Sequence, residues 1–270
     1  MHGLSSPRAR LRALGLRPRR GLSQSFLGDA AVADAIVRAG RLDRARDEVL
    51  EVGPGLGILT ERLVRVARRV VAIELDAQLA DWLRTEFAEA PLEVLRADVL
   101  EVDLSALFDQ PFVVVANLPY HITSPAVRQL LAAQPKRLVV MTQREVAERI
   151  SARPGELSAL SVIVQVQATT RIVLHVPSSA FYPRPNVDSA VLLLEPHAQP
   201  PIARDAMPAF AELVHAGFKQ PRKQLGNSLA DGLTVTKPEA LALLQRAAIE
   251  PVRRPHELTI DDWVRLFEVR

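Results

Sequence analysis

The chain has 270 residues, a formal net charge of +3 and no cysteine. This length favours one large and one small domain, and the lack of cysteine excludes disulfides, thiolate zinc sites and cysteine nucleophiles. No apolar run approaches the roughly 18 residues of a transmembrane helix, so no membrane association is predicted and a cytoplasmic location is expected. The net charge is too small to indicate nucleic-acid binding by itself. A prediction of nucleic-acid binding therefore depends on local basic patches.

Residues 1–22 form a basic arm. The arm contains Arg8, Arg10, Arg12, Arg17, Arg19 and Arg20, but no apolar stretch long enough for a secretion signal. Two interpretations stay open for it. The arm can contact RNA phosphates, or it can be a solvated, partly disordered lead-in helix.

Strand-like and helix-like segments alternate from Val49 to about Gln143, which predicts a doubly wound parallel sheet. The predicted strands are residues 49–52, 70–73, 92–96, 112–116 and 137–142, and the predicted helices are residues 58–68, 77–88 and 124–133. Segment 157–169 has the length of a helix, although its valines favour a strand. Two further strands, at 172–176 and 190–195, are predicted to complete the sheet.

A glycine-rich turn follows the first predicted strand. Gly53, Gly55 and Gly57 allow a tight turn and a close approach of a ligand to the backbone. Their spacing is G-x-G-x-G, which differs from the dinucleotide pattern G-x-G-x-x-G. Glu74 ends the next strand, about 20 residues further on, where a carboxylate can accept both ribose hydroxyls of a nucleoside cofactor.

Asp98 follows the third predicted strand and can accept a hydrogen bond from an adenine amino group. A glycine turn, a glutamate and an aspartate after successive strands are the order expected for S-adenosylmethionine. NAD is the structural alternative. It would explain Glu74, but it leaves Asp98 and residues 117–120 without a role.

The tetrapeptide Asn117-Leu118-Pro119-Tyr120 follows a buried strand, where open α/β sheets bind ligands. The Asn117 side-chain oxygen and the Leu118 carbonyl can accept the hydrogens of an exocyclic base amine, which favours its nucleophilic, tetrahedral form. Pro119 restricts Leu118 and fixes that carbonyl, and Tyr120 offers a face on which a flipped base can stack. Taken alone, the four residues fit an ordinary turn equally well.

Together these motifs resemble the rRNA adenine N6-dimethyltransferase family. Five stretches carry the resemblance: residues 24–27, 51–57, 74–76, 117–120 and 181–191, the last reading Phe-Tyr-Pro-Arg-Pro-Asn-Val-Asp-Ser-Ala-Val. The resemblance implies an α/β fold, with a Rossmann-like S-adenosylmethionine-dependent methyltransferase sheet and a small C-terminal helical domain. It also implies transfer of methyl groups to the N6 amines of two adjacent adenines near the 3′ end of 16S rRNA. The expected partner is an immature small ribosomal subunit, and a monomer is expected.

The motifs and the resemblance together predict a set of site residues. The residues expected to bind S-adenosylmethionine are Gln24, Ser25, Leu27, Gly53, Gly55, Glu74, Asp98 and Asn117. The residues expected to act on the target base are Asn117, Leu118, Tyr120 and Phe181, with the adenine held between Tyr120 and Phe181. Direct displacement at the methyl carbon needs neither a metal nor a strong base.

Two positions depart from the family pattern. Ser25 stands where the family usually has Asn or His, which predicts a weaker reach of this side chain toward the cofactor. His121 stands where Asn usually follows the Pro-Tyr pair, and His121 is not predicted to be catalytic.

The proline-rich segment 196–201 marks a linker. It divides a predicted S-adenosylmethionine-binding catalytic domain, residues 23–196, from a predicted helical RNA-binding domain, residues 197–270. The second of these carries a basic patch of Lys219, Arg222 and Lys223. Charge alone favours an ordinary solvated face, whereas likeness to the family's basic segment favours contact with the RNA backbone.

Three other functions compete with this one. They are an erythromycin-resistance enzyme acting on large-subunit rRNA, a DNA amino-methyltransferase, and an assembly factor that binds rRNA without catalysis. Residues 117–120 and 187–191 favour a small-subunit enzyme, and the segment after Pro201 is small for a DNA-recognition domain. The intact glycine turn and Asn117 argue against a loss of catalysis.

Overall fold

The computed structural model describes residues 6–19 and 24–270. The chain divides into two compact units, residues 1–147 with 171–195 and residues 148–170 with 196–270. The predicted division at residue 197 therefore needs one correction, because residues 148–170 belong to the second unit. The reason is packing: Val162 and Ile163 lie in the same apolar cluster as Phe210 and Trp263.

The first unit is a sheet with flanking helices. Its strands are β1 (Phe26–Leu27), β2 (Glu48–Val52), β3 (Arg69–Glu74), β4 (Leu92–Arg96), β5 (Val113–Asn117), β6 (Arg137–Gln143), β7 (Ala168–Val176), β8 (Phe181–Tyr182) and β9 (Ser189–Pro196). Its helices are α1 (Pro7–Ala13), α2 (Ala30–Ala39), α3 (Thr60–Val66), α4 (Ala77–Glu86) and α5 (Thr123–Ala132). Helix α6 (Arg144–Ile150) and strand β7 each cross from one unit into the other.

Among the described residues, seven strands form the main sheet in the order β4-β3-β2-β5-β6-β9-β7. β4, β3, β2, β5 and β6 run parallel, whereas β9 pairs antiparallel with β6. The prediction of a doubly wound parallel sheet is confirmed for the five strands β2 to β6. Leu50, Val114 and Val139 are fully buried, as expected for strands covered on both faces.

The register of the sheet brings three motifs to one edge. Val52 lies opposite Ile73 on one side and opposite Ala116 on the other. The residues that follow these three are Gly53, Glu74 and Asn117. The glycine turn, the glutamate and the start of the tetrapeptide therefore meet at the carboxyl edge of the sheet, where such folds bind ligands.

The second unit is mainly helical. Its helices are α7 (Ala159–Gln165), α8 (Met207–Gly217), α9 (Leu225–Leu233), α10 (Lys237–Arg246) and α11 (Ile260–Glu268). They enclose an apolar cluster in which Trp263 stacks on Phe218 and Phe210 meets Phe267 edge to face. The predicted helical character beyond residue 201 is confirmed.

Part of the basic arm packs against other residues of the first unit. Leu11 of α1 lies in an apolar cluster with Phe26, Leu56 and Leu79. Arg19 forms an ion pair with Asp76 at 3.3 Å, whereas Arg8 and Arg12 are exposed. Residues 1–5 and 20–23 of the predicted arm and domain start lie outside the described residues. Within the described ranges, no helix has the length and apolar character needed to cross a membrane.

Candidate active site

A cavity lies at the carboxyl edge of β2, β3 and β5, where the register places the three motifs. It is lined by all eight residues predicted to bind the cofactor, namely Gln24, Ser25, Leu27, Gly53, Gly55, Glu74, Asp98 and Asn117. Leu118, Tyr120 and His121 line the same cavity. The structure thus brings the predicted cofactor residues together with three of the four predicted to act on the base.

The glycine turn forms one wall of the cavity. Gly53 and Gly55 have φ angles of 68° and 56°, a region that side chains strain to adopt. A Cβ atom on Gly53 would lie 3.3 Å from the Asn117 carbonyl oxygen, and one on Gly55 would lie 3.1 Å from the Phe26 ring. Only glycine lets the backbone face the cavity at this spacing.

Glu74 presents an oriented carboxylate to the cavity. The backbone N–H of Gly55 donates to its Oε2 at 3.1 Å, and the N–H of Asp76 donates to its Oε1 at 2.9 Å. Each oxygen keeps a lone pair that a ribose hydroxyl can use. Burial raises the pKa of the Glu74 carboxyl above its ordinary value, because removal from water disfavours the charged form.

Leu75 is a cavity residue for which the sequence motifs predict no role. Its side chain is 52% exposed, unusual for a large apolar residue, and it lines the cavity directly after Glu74. An apolar surface at this point suits a planar adenine ring. The available signal was an apolar residue placed directly after a carboxylate that ends a strand.

Asp98 is oriented by the backbone that follows it. Its Oδ1 accepts the Leu100 N–H at 2.9 Å, which caps the short 3₁₀ turn Val99–Glu101. Oδ2 has no partner among residues 6–19 and 24–270. That oxygen can accept a hydrogen bond from an amino group in the cavity.

The tetrapeptide presents two acceptors that nothing in the described chain occupies. The Leu118 N–H donates to the Met141 carbonyl at 3.0 Å, and the Leu118 side chain is buried. Pro119 has φ −56° and ψ 131°, an extended geometry. The Asn117 side-chain amide and the Leu118 carbonyl have no hydrogen-bond partner among the described residues, so both remain available to a bound base.

Two hydroxyl pairs, one partly buried and one buried, fix the residues that follow. The Tyr120 hydroxyl lies 2.9 Å from the Ser189 hydroxyl, and Thr123 Oγ1 lies 2.8 Å from Thr142 Oγ1. Burial raises the pKa of the Tyr120 hydroxyl, so this group stays neutral at physiological pH. Ser189 belongs to the family-like stretch 181–191, in which the sequence predicts no role for it.

The side chains of Gln24 and Ser25 make contacts within the protein. Gln24 Nε2 donates to Asp76 Oδ2 at 3.2 Å, and the Ser25 hydroxyl donates to the Pro183 carbonyl at 2.6 Å. Ser25, which departs from the family pattern, thus ties β1 to the segment after β8. Ser25 still lines the cavity.

Phe181 is the predicted base-contacting residue that the structure does not place in the cavity. It lies on β8 opposite Leu27, is 6% exposed, and belongs to the apolar core of the first unit. Side chains alternate between the faces of a strand, so Phe181 points inward and Tyr182 is exposed. Tyr120 lines the cavity and Phe181 does not.

The three basic residues predicted to bind RNA differ in their surroundings. Lys219 Nζ lies 3.3 Å from Asp231 Oδ2. Hydrogen bonds from Gln220 and Lys219 lower the pKa of Asp231, so that carboxylate is ionised and offsets the Lys219 charge. Arg222 and Lys223 are exposed and have no ion-pair partner in the part of the chain that the structure describes.

Acidic and histidine side chains do not cluster at the cavity in a metal-binding arrangement. Across residues 6–19 and 24–270, no three such groups are placed so that they could hold a metal ion. Direct methyl transfer needs no such ion.

A largely parallel sheet with a glycine turn after its central strand, followed by acids after the next two strands, defines a Rossmann-like, S-adenosylmethionine-dependent methyltransferase. The chain belongs to the family described as ribosomal RNA adenine dimethylase, which matches residues 15–270.

Relatives with names or solved structures agree with this assignment. The chain is 42% identical to a protein of Dehalococcoides mccartyi named ribosomal RNA small subunit methyltransferase A, with 93% of this chain and 88% of that protein covered. It resembles the crystal structure of a dimethyladenosine transferase from Plasmodium falciparum, with TM-score 0.74, 25% identity, and 89% and 95% coverage. It also resembles the 23S rRNA methyltransferase ErmE, with TM-score 0.70, 30% identity, and 90% and 98% coverage.

Proposed function

We propose that this protein transfers methyl groups from S-adenosylmethionine to the N6 amines of two adjacent adenines near the 3′ end of 16S rRNA. One observation carries the proposal: the free acceptors of Asn117 and Leu118 share a cavity with Gly53, Glu74 and Asp98. An amine-binding edge thus lies beside a nucleoside-binding edge. Higher identity to a small-subunit methyltransferase than to ErmE supports small-subunit rRNA as the substrate.

The residues of the cavity fit S-adenosylmethionine. Glu74 offers two oriented oxygens to ribose hydroxyls, Asp98 Oδ2 offers an acceptor to the adenine amino group, and Leu75 offers an apolar surface to the ring. The positive-φ glycines leave room for a ligand against the backbone. When bound, the cofactor supplies an electrophilic methyl group on a sulfonium.

Asn117 and Leu118 prepare the amine for attack. Their oxygens accept the two N6 hydrogens, which turns the nitrogen lone pair out of the ring and toward the methyl carbon. A carbon–nitrogen bond forms as the carbon–sulfur bond breaks with its electron pair going to sulfur, and the nitrogen then releases a proton to water. Positioning and exclusion of water supply most of the acceleration.

The proposed partner is 16S rRNA within an immature small ribosomal subunit, and the proposed location is the cytoplasm, where such subunits assemble. We also propose that the protein acts as a monomer. All residues that line the cavity come from one compact unit of one chain, which supports this proposal. Sedimentation of the free protein and of its small-subunit complex tests it.

The test uses a strain that lacks the gene. Mass spectrometry of its rRNA should show unmethylated 16S adenines, and the wild-type gene should restore N6-dimethyladenine. Asn117→Ala should cut the single-turnover rate on small subunits by about 10²-fold, as loss of one oriented hydrogen-bonding group does elsewhere. Calorimetry on the same variant separates this effect from a change in cofactor affinity. Methylation restored in 23S rather than 16S rRNA would instead assign the large-subunit activity.

A further inference from the structure

We infer that Ser189 is a positioning residue for the target base and acts through the hydroxyl of Tyr120. The inference rests on the proposed function and on the sequence-based expectation that the flipped adenine stacks on the Tyr120 ring. It assigns a role to a hydroxyl of the 181–191 stretch that the reaction itself does not use.

Ser189 holds Tyr120 from β9, which lies two strands away from β5 in the sheet. It is fully buried at the start of β9 and lies opposite Gln143 of β6. Asn117, at the end of β5, lies opposite Met141 of the same strand. β6 therefore separates Ser189 from the tetrapeptide, and the tyrosine side chain reaches across this strand to the serine.

The hydroxyl pair fixes the plane of the ring. At its backbone end, Tyr120 follows a turn anchored by the Leu118 N–H on the Met141 carbonyl at 3.0 Å. At its far end, the hydroxyl is held by Ser189 at 2.9 Å. A phenol ring anchored at both ends loses the freedom to tilt about χ1 and χ2, so the ring of this cavity-lining residue keeps one orientation.

This arrangement also explains why the residue is Tyr and not Phe. A base needs only the ring face for stacking, and the hydroxyl points away from the cavity toward a fully buried partner. Its distance from Ser189 is that of a normal O–H···O bond. The hydroxyl thus anchors the ring. Methyl transfer to the amine depends on this hydroxyl only through the orientation of the ring.

The neighbouring Thr123–Thr142 pair serves a different element. Thr123 begins α5 and also contacts the Pro119 carbonyl at 3.4 Å, so this pair fixes the start of a helix. Ser189 is the hydroxyl bonded to Tyr120 among the described residues. The effect of Ser189 can therefore be separated from the effect of the turn.

The experiment is a double-mutant cycle of Ser189→Ala and Tyr120→Phe, measured as single-turnover methyl transfer to small subunits from the gene-deleted strain. Each single variant should be about threefold to tenfold slower, as for loss of one hydrogen bond, with unchanged S-adenosylmethionine affinity. The double variant should be no slower than Tyr120→Phe, because both changes remove the same bond.

Ser161→Ala is the matched control, because Ser161 is also a fully buried, hydrogen-bonded serine but lies in the second unit. It should transfer methyl groups at the wild-type rate. Tyr120→Phe keeps the test decisive if Ser189→Ala folds poorly, since it breaks the bond from a partly exposed side.

A wild-type rate in Tyr120→Phe, or additive losses in the double variant, would overturn the inference. Failure of the wild-type protein to methylate 16S rRNA would instead overturn the proposed function.

Discussion

Glu51 is an acid in an apolar strand. It lies on β2, two residues before the glycine turn, with 1% of its surface exposed. The Thr60 hydroxyl donates to its Oε2 at 2.7 Å, and Oε1 has no partner among the described residues. Burial, with a smaller contribution from the Glu74 charge, raises the pKa of Glu51 from 4.5 to about 8. The neutral carboxylic acid, which is the less costly form to bury, is thus the main form of Glu51 at pH 7.

The proton on Glu51 makes stability depend on pH. The folded chain holds this proton up to about pH 8, whereas the unfolded chain releases it near the ordinary pKa of 4.5. Folding therefore binds a proton between these values, and the free energy of unfolding falls as the pH rises through them, by at most about 1.4 kcal/mol per pH unit. Glu51→Gln keeps the Thr60 bond without an ionisable proton, so its stability relative to wild type should increase from pH 5 to pH 8.

Denaturant unfolding of both proteins at pH 5, 6.5 and 8 checks this prediction. Glu86→Gln is the matched control, because Glu86 is exposed on α4, and its curve should stay parallel to that of the wild type. Parallel curves for Glu51→Gln as well would show that Glu51 is already ionised in the folded protein.

At the scale of elements, the two-stranded pair β1–β8 joins the cofactor side of the site to the segment after β8. Phe26 lies opposite Tyr182, and Leu27 lies opposite Phe181. The Gly28 N–H donates to the Ala180 carbonyl at 2.8 Å, and Ser25 adds its bond to Pro183. The Ser25 side chain is therefore part of a link between segments, and we expect its contribution to appear in rRNA recognition.

Ser25→Ala and Glu74→Ala should separate these two roles. Glu74→Ala should weaken S-adenosylmethionine binding by roughly 1–3 kcal/mol, because ribose hydroxyls and backbone N–H groups lose their acceptor. Ser25→Ala should leave that affinity within about twofold and lower kcat/KM for small subunits severalfold, the size expected for one hydrogen bond. Calorimetry with S-adenosylmethionine and steady-state methyl transfer measure the two effects. Equal losses of cofactor affinity in both variants would show that the Ser25 hydroxyl binds the cofactor.

The sequence predicts the elements that have a long periodic pattern. β4 matches its predicted bounds, and β2, β3, β5 and β6 match within one or two residues, because buried parallel strands are continuous apolar runs. β1 and β8 were not predicted, since strands of two residues have no measurable period. Segment 157–169 is helical only at α7 (Ala159–Gln165), and β7 already begins at Ala168.

Site residues, too, are predictable where they follow elements that the sequence predicts. Gly53, Glu74, Asp98 and Asn117 follow predicted strands, so the order of the strands places them at one edge. The position of Phe181 depends on the pairing of β8 with β1, a contact between distant parts of the chain that local sequence does not encode. The bond of Ser189 to Tyr120 across β6 is equally non-local.

At the scale of the whole molecule, the two units carry different chemistry. All residues that line the cavity belong to the first unit. The second unit presents exposed basic residues in the turn between α8 and α9. In this turn the Lys223 N–H donates to the Gln220 carbonyl at 2.9 Å, and the Gln220 N–H donates to Ser228 Oγ at 2.9 Å. These bonds hold the turn in one shape. Asp231 offsets the Lys219 charge. Of the three basic residues predicted to contact RNA, we therefore expect Arg222 and Lys223 to contribute most.

The double substitution of Arg222 and Lys223 by Ala should weaken binding to small subunits and flatten its salt dependence. Each lost phosphate contact should reduce the slope of log affinity against log salt concentration by roughly 0.7–0.9, because fewer counterions are released on binding. Lys219→Ala should have a smaller effect, since its charge is already shared with Asp231. Filter binding at several salt concentrations measures the slopes of the wild type, the double variant and Lys219→Ala.

Lys237→Ala is the control for loss of a single positive charge, as in Lys219→Ala, because Lys237 is an exposed lysine at the start of α10, outside the turn. It should leave the slope unchanged, and S-adenosylmethionine affinity should stay constant in every variant, since the cofactor residues lie in the first unit. If the double variant keeps the wild-type slope, the turn is an ordinary solvated surface and rRNA binds elsewhere on the protein. If Lys219→Ala alone flattens the slope as much as the double variant, Asp231 releases Lys219 on binding and the lysine contacts phosphate directly.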